Sequence, residues 1–467
     1  MNQLLERIEE RLGTGGLFTD AADRAAYEEG WRYGRGQAMA VARPRTSEEV
    51  AWLLAESKAS GVRVQPIGAN TGLVGASTPD DTGRQLVISL ERLTPEIEVD
   101  VHARTVVVGA GTTLSALNQA LEPHGLMLPI DLGADPQVGG MIATNTGGTR
   151  LLRYGAMRRY VLGLEVALAD GRVYENLAGL WKDSRGLRLE ELFVGTTGAL
   201  GIVTRATLAV VPKPNQTATA WVALSRARVA DDLLVHLERH AHEFLSAFEV
   251  LSAEAVRSTL EHGRNFESPF IEGVPERAVL VELSTTLGRS HLDLEDFLFE
   301  TLATFVEERE DGVDEVYPAK PHDAWELRHQ VSESLRHEGR ILALDVSVPR
   351  GQVARFTQTV TQLITEHDAR VRVADFGHWG DGGTHLNLVL DPATHTDTDA
   401  KALQELVYEH VAEYDGSFSA EHGIGPHNLA RYGAESPDLK LELSRVLADH
   451  LDPERRLGNV RLEGTRS

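Results

Sequence analysis

The stretch FGHWGDGGTHLNLVL, Phe376 to Leu390, sets two histidines around a tight Gly-Asp-Gly-Gly turn. Asp381-Gly382-Gly383 can close a hairpin with Phe376–Trp379 on one side and Thr384–Leu390 on the other. Side chains alternate along a strand, so His385, Asn387 and Val389 share one face, and His378 can reach that face from across the turn. Two opposed imidazoles can bind a divalent cation, with a carboxylate as the natural third ligand, but paired strand histidines also serve as ordinary core residues. Nearer the C-terminus, SAEHGIG (Ser419 to Gly425) puts Glu421 beside His422 in a glycine-bounded segment. A carboxylate ligand and an uncoordinated base can face one pocket there; Glu-His is equally a common surface dipeptide.

Composition narrows the chemistry. The 467 residues include no cysteine, which removes disulfides, iron–sulfur clusters, thiolate nucleophiles and thiolate zinc sites, so any metal is held by nitrogen and oxygen. A formal net charge of -24 repels nucleic acid and anionic membrane surfaces. Small molecules and proteins are the expected partners. MNQLLERIEERLG at the N-terminus is charged at helical spacing and reads as no signal peptide. Leu192 to Val211 is broken by glycines, threonines and Arg205 and reads as buried strands, not a membrane span. A cytoplasmic enzyme is the expectation.

The positioning elements follow from local rules. Thr46 and Glu49 form a capping box and Gly61 a stop, predicting a helix over 47–60. VRVQPI, QLVISL and TVVVGAG read as strands, a helix is expected over 114–122, and VLGLEVALADGRVYE (161–175) as a hairpin around Asp170-Gly171. The glycine-dense half stops near Pro212–Pro214, where longer strand–helix alternation begins: AVLVELSTT (278–286) and ILALDVSVP (341–349) as strands, with helices from His291 and Val353. Three domains are expected: 1–213, 214–415, and a C-terminal segment 416–467.

Three glycine loops remain. PIGANTGLVGAS, PIDLGADPQVGGMIATNTGG and LFVGTTGALGIVT match neither the dinucleotide nor the P-loop fingerprint, since Gly68, Gly72 and Gly75 are wrongly spaced and no Gly-Lys-Ser/Thr exists. They are either ordinary turns or backbone surfaces for close approach to a large polyphosphate ligand, which their density favours.

These loops, with GGTRLLRYGAM and VLGLEVALADGRV, resemble in order and spacing the FAD-binding half of the vanillyl-alcohol-oxidase flavoproteins, the PCMH type. GHWGDGGTHLN followed by SAEHGIG resembles the metal-dependent D-2-hydroxy acid dehydrogenase branch, the D-lactate and D-2-hydroxyglutarate enzymes, over nearly the whole chain. The resemblance implies an α+β fold: a PCMH-type FAD-binding domain of two α/β subdomains, an α+β cap domain with an antiparallel sheet, and a C-terminal segment returning to the active site. It implies that Pro66, Gly68, Ala69, Asn70, Thr71, Gly72, Leu73, Gly75, Ala76 and Ser77 wrap the FAD pyrophosphate. Pro129, Asp131, Gly133, Gly139, Gly140, Ala143, Thr144, Asn145, Gly147 and Gly148, then Gly198, Gly201, Ile202 and Val203, would hold the rest of the cofactor, with Asn459 from the tail. None of the three loops carries the histidine that attaches FAD in some relatives, so non-covalent FAD is expected. The chain departs from the family at Thr197, where Glu is frequent, and at Ala69 or Asn70, where Gly is.

Carried over by position, His378, His385 and Glu421 are metal ligands for zinc or manganese, Asn387 a substrate contact and His422 the general base. In WELRHQVSESL, Arg328 matches the arginine that binds the substrate carboxylate and Ser332 a hydroxyl contact. Ala343 replaces a lysine common in the D-2-hydroxyglutarate enzymes, with Arg336, Arg340 or Lys320 as candidate replacements. The expected reaction is oxidation of a D-2-hydroxy acid with hydride transfer to flavin N5, a monocarboxylate such as D-lactate or a larger apolar analogue being favoured. An oxidase or redox-neutral enzyme of the same fold and a flavin-free metallohydrolase are the alternatives. Without iron–sulfur ligands the electrons must pass to a quinone, an electron-transfer flavoprotein, a cytochrome or oxygen, and the family suggests a homodimer.

Overall fold

Local signals place most elements where spacing predicts them. In the computed structural model, which describes residues 2–309 and 311–464, Thr46 Oγ1 accepts from Glu49 N at 3.2 Å and starts the helix Ser47–Ala59. The reciprocal half of the expected box is displaced: the Glu49 carboxylate accepts from Arg45 N at 2.7 Å, one residue early. The helix expected from His291 begins at Leu294, because the Asp293 carboxylate caps the N–H groups of Glu295 and Asp296.

The chain divides into two units. The first comprises Met1–Gly147, Ala156–Lys213 and His422–Ser467; the second comprises Gly148–Gly155 and Pro214–Glu421. The tail thus changes unit between Glu421 and His422, and a short excursion at 148–155 belongs to the second unit.

In the first unit, β1 (Leu17–Phe18), β2 (Ala38–Ala42), β3 (Arg63–Ile67) and β4 (Gln85–Ser89) form one sheet in the order β1-β2-β4-β3, with β2 and β3 both parallel to β4. A second, antiparallel sheet contains β5 (Glu98–Asp100), β6 (Thr105–Gly109), β8 (Val161–Ala167), β9 (Val173–Asn176) and β10 (Ile202–Ala209), in the order β5-β6-β10-β8-β9. The short strands β7 (Leu126–Met127) and β11 (Val211–Pro212) pair separately. The β8–β9 hairpin turns at Gly171 as its Asp-Gly signal predicts.

The second unit is built on seven antiparallel strands: β12 (Gln216–Leu224), β13 (Leu245–Ser252), β14 (Arg277–Thr285), β15 (Val313–Ala319), β16 (Arg340–Ser347), β17 (Arg372–Gly377) and β18 (Gly383–Leu390). Their order is β15-β12-β14-β13-β17-β18-β16. One face packs against helices Val229–Ala241, Leu294–Glu307, Val353–His367 and Asp397–Glu413 through Leu237, Leu302, Phe356 and Val407. Helices Ala253–His262, Pro321–His329 and Val331–Leu335 cover the other face through Val256, Trp325 and Leu335. Each fully buried side chain of this size contributes about 1.5–3 kcal/mol, enough to hold the sheet register. No helix among the described residues is long and apolar enough to cross a membrane.

Candidate active site

The histidine turn joins β17 to β18. On β18, His385 opposes Phe376 and Asp345, and Asn387 opposes Ala374 and Ala343. Paired residues of antiparallel strands project to the same face, so Ala343, Asp345, His385 and Asn387 stand together. His378 follows the last residue of β17, and its ring lies 5.3 Å from that of His385, nearly perpendicular. Glu421 Oε1 lies 2.7 Å from His378 Nε2, and one ligand atom each from His378, His385 and Glu421 falls within 4.8 Å of the others.

Two carboxylates orient this group. Glu249, on β13 and 1 % exposed, accepts from His378 Nδ1 at 2.5 Å through Oε1 and from Arg328 Nε at 2.6 Å through Oε2. The Arg328 guanidinium lies over the Phe376 ring, 4.7 Å from its centre. Asp345 Oδ2 accepts from Glu421 N at 2.9 Å, and Asp345 Oδ1 lies 3.6 Å from His385 Nδ1. Ser347 and Ser417 exchange backbone hydrogen bonds of 3.0 and 2.8 Å, which seats the segment carrying Glu421 on the edge of β16.

The electrostatics follow from burial and pairing. Burial alone would push the His378 imidazole down, but Glu249 and Glu421 hold it well above the ordinary histidine value. Burial would likewise raise the Glu249 carboxyl, and His378 with Arg328 keeps it below the usual carboxylate range. Asp381, in the turn, is pushed up to about 6 chiefly by burial. Two imidazoles and a carboxylate, with Nδ1 of His378 tied to an outer carboxylate and Nε2 turned toward the other donors, fit a divalent cation.

In the first unit the three glycine loops pack on one another. Gly198, in the left-handed region at φ +78°, would place a Cβ 3.1 Å from Pro66 of the first loop. Gly195 N and Thr197 N donate to Ile142 O and Ala143 O of the second loop, at 3.0 and 2.8 Å. Gly68 of the first loop faces Gln137 Oε1, 3.2 Å from where a Cβ would stand. Among the described residues that buried Gln137 oxygen has no hydrogen-bond partner, and a Cβ at Gly72, Gly133 or Gly140 would meet open space. An orphaned acceptor beside a bare backbone surface fits a large cofactor with donor groups, as FAD is. Asn70 and Ser77 bond to each other at 2.7 Å, bracing the first loop. Asn459 bonds to Arg63, Gln85 and Thr78 and joins the tail to that loop's end.

The remaining candidates separate. Arg328 is buried, but Ser332 is exposed on the next short helix. Asn387 Nδ2 donates to Ala374 O and His385 O, at 3.3 and 3.2 Å. Of the proposed lysine replacements, Arg336 pairs with Glu333 at 3.1 Å and Arg340 with Asp397 at 2.6 Å; Lys320 is exposed at the start of helix Pro321–His329. His422 lies beside Glu421 in the chain and belongs to the first unit. Glu249, Asp345 and Gln137 were not foreseen from the sequence. A charged residue inside the otherwise apolar strand LSAFEVLS was the available signal for Glu249.

Known proteins are similar to this chain. An FAD binding domain model matches residues 38–176, and a model of the FAD linked oxidases, C-terminal domain, matches 213–461. The mitochondrial D-2-hydroxyglutarate dehydrogenase of Bos taurus is 34 % identical over 459 residues, covering 95 % of this chain and 80 % of that protein. The D-2-hydroxyglutarate–pyruvate transhydrogenase of Saccharomyces cerevisiae is 30 % identical over 446 residues, covering 92 % and 87 %. The crystal structure of p-cresol methylhydroxylase with substrate bound superposes with a TM-score of 0.74 at 14 % identity, covering 100 % of this chain and 98 % of that one, and shares the PCMH-type fold.

Proposed function

The chain belongs to the FAD-linked oxidases and is an FAD-dependent D-2-hydroxy acid dehydrogenase, and from that premise we propose that its substrate carries an uncharged side chain and is held with a divalent cation at His378, His385 and Glu421. The observation that carries this reading is the face shared by Asp345, His385 and Asn387, where the neighbouring side chain is Ala343, beside Ile341 in the apolar cluster. The bovine relative is named for a dicarboxylate. Here the candidate replacements Arg336 and Arg340 are engaged with acidic partners.

When bound, FAD supplies the hydride acceptor and a zinc or manganese ion a Lewis acid at the substrate hydroxyl. Arg328 binds the substrate carboxylate through its Nη atoms, since Nε is committed to Glu249. Asn387 orients the substrate. His422 takes the hydroxyl proton on a ring nitrogen as the C2–H bond breaks, a task suited to an imidazole near neutrality. Phe376 and the apolar cluster behind it keep water from the reacting carbon. Electrons are proposed to leave to a quinone, an electron-transfer flavoprotein or a cytochrome, from a cytoplasmic homodimer.

Anaerobic flavin bleaching across D- and L-2-hydroxy acids, with and without a chelator, tests the reading. Bleaching by D-lactate and larger apolar D-acids at lower concentration than by D-2-hydroxyglutarate, abolished by the chelator, is expected. Full rates after demetallation would overturn the cation, and preference for D-2-hydroxyglutarate would overturn the side-chain assignment.

A further inference from the structure

We infer that Glu249 is a positioning residue that joins the substrate-carboxylate arginine to a cation-binding histidine, so that the grip on the cation and the grip on the substrate are coupled through one carboxylate. The inference rests on the reading that His378 ligates a cation and Arg328 binds the substrate carboxylate.

The carboxylate divides its two oxygens between two cationic partners, Oε1 to His378 Nδ1 and Oε2 to Arg328 Nε. An acid serving only to neutralise a buried charge needs one such partner. The pair it forms with each is almost fully enclosed, with side-chain exposures of 1 % for Glu249, 7 % for Arg328 and 8 % for His378. In that setting each contact is charge-assisted and poorly screened, and neither side chain can turn without breaking it.

Two consequences follow from the donor geometry. An imidazole that donates from Nδ1 keeps its Nε2 lone pair for a cation, and an anionic acceptor on Nδ1 makes that lone pair more basic. A guanidinium held at Nε keeps both Nη groups; among the described residues they make no hydrogen bond, so they remain available as a fork for a carboxylate. Because one carboxylate serves both, charge withdrawn by Arg328 is charge not lent to His378. Arg328 therefore tempers the cation site as well as holding the substrate.

The test uses the full-length flavoprotein, stripped of metal with a chelator and titrated calorimetrically with Mn2+, alongside KM for D-lactate. Flavin absorbance and melting temperature report folding. Glu249→Gln should weaken Mn2+ binding by about 10- to 100-fold, the range for losing an outer carboxylate, and raise KM, with flavin content unchanged. Arg328→Met, measured with no substrate present, should tighten Mn2+ binding, since Glu249 then serves His378 alone. In the Arg328→Met, Glu249→Gln double variant, KM should be no worse than in Arg328→Met, while Mn2+ affinity falls to the Glu249→Gln level. Wild-type Mn2+ affinity in both single variants would overturn the coupling; so would a Glu249→Gln protein that loses affinity for one ligand only. If Glu249→Gln fails to hold flavin, unchanged Mn2+ affinity in Arg328→Met alone overturns the proposal. A wild-type protein that binds no Mn2+ or Zn2+ would instead sink the cation reading on which it rests.

Discussion

Arg340 and Ala343 lie three residues apart on one strand and face opposite sides of the sheet. Arg340 opposes Leu390 and pairs with Asp397, while Ala343 opposes Asn387 on the face of the histidines. Odd spacing along a strand makes this unavoidable. Arg340 therefore cannot replace a cation lost at 343. Ala343→Lys should lower KM for D-2-hydroxyglutarate relative to D-lactate by roughly 10- to 100-fold, the worth of a charge-assisted bond of about 1.5–3 kcal/mol. Arg340→Ala should leave the ratio unchanged. Equal KM ratios in Ala343→Lys and wild type would refute the assignment.

His385 is the more exposed of the two turn histidines, and Asp345 Oδ1 lies 3.6 Å from its Nδ1. His385→Ala should reduce cation affinity at least as much as losing an outer partner does, roughly 10- to 100-fold or more, with normal flavin content. Calorimetric titration of the demetallated protein checks this.

For His422, replacement by Asn should lower kcat by about 10²- to 10⁴-fold, the usual worth of a general base, with FAD and cation both retained. Near-normal turnover would remove it from the mechanism.

Gly425 packs flush against the first glycine loop: a Cβ there would lie 1.9 Å from Val74 O. Its N–H donates to Asn428 Oδ1 at 2.8 Å, so it has little room to retreat. Gly425→Ala should destabilise the first unit by about 1–3 kcal/mol and weaken flavin retention. The measurements are flavin dissociation and the thermal midpoint.

Asp231, in the first turn of helix Val229–Ala241, has its carboxyl pushed up to about 6 by burial, reinforced by Asp232 and opposed by Arg228. The folded state therefore holds its proton more tightly than the unfolded state, whose carboxyl titrates near the ordinary aspartate value of about 3.9. The acid's destabilising effect is absent below about pH 4 and complete above about pH 6. Allowing for solvent screening of a half-buried group, Asp231→Asn should gain about 1 kcal/mol at pH 7–8 and nothing at pH 4. Melting curves of both proteins across this range check the sign.

Much of the site was legible because its logic is local. A turn with Asp-Gly-Gly at its centre and a strand period of two place His378, His385 and Asn387, and both operate within fifteen residues. Ser332 shows where local periodicity misleads. An unbroken helix would set it one turn beyond Arg328, but the helix ends at His329 and a new one starts at Val331, so Arg328 is buried and Ser332 is not. The placing of Arg340 is legible from spacing alone, three residues from Ala343 on one strand.

What the sequence determined by itself was chemistry that needs only composition and short-range order: no thiolate ligand, three glycine loops, two histidines on one hairpin, an acid and a base side by side. What only the tertiary structure decided was which distant carboxylate completes that chemistry. Glu249 lies 129 residues before His378, and the two meet because β13 pairs with β17, a choice made by the packing of the whole seven-stranded sheet. Strand pairing between remote segments is selected by which order buries the most apolar surface, and no local spacing encodes that sum.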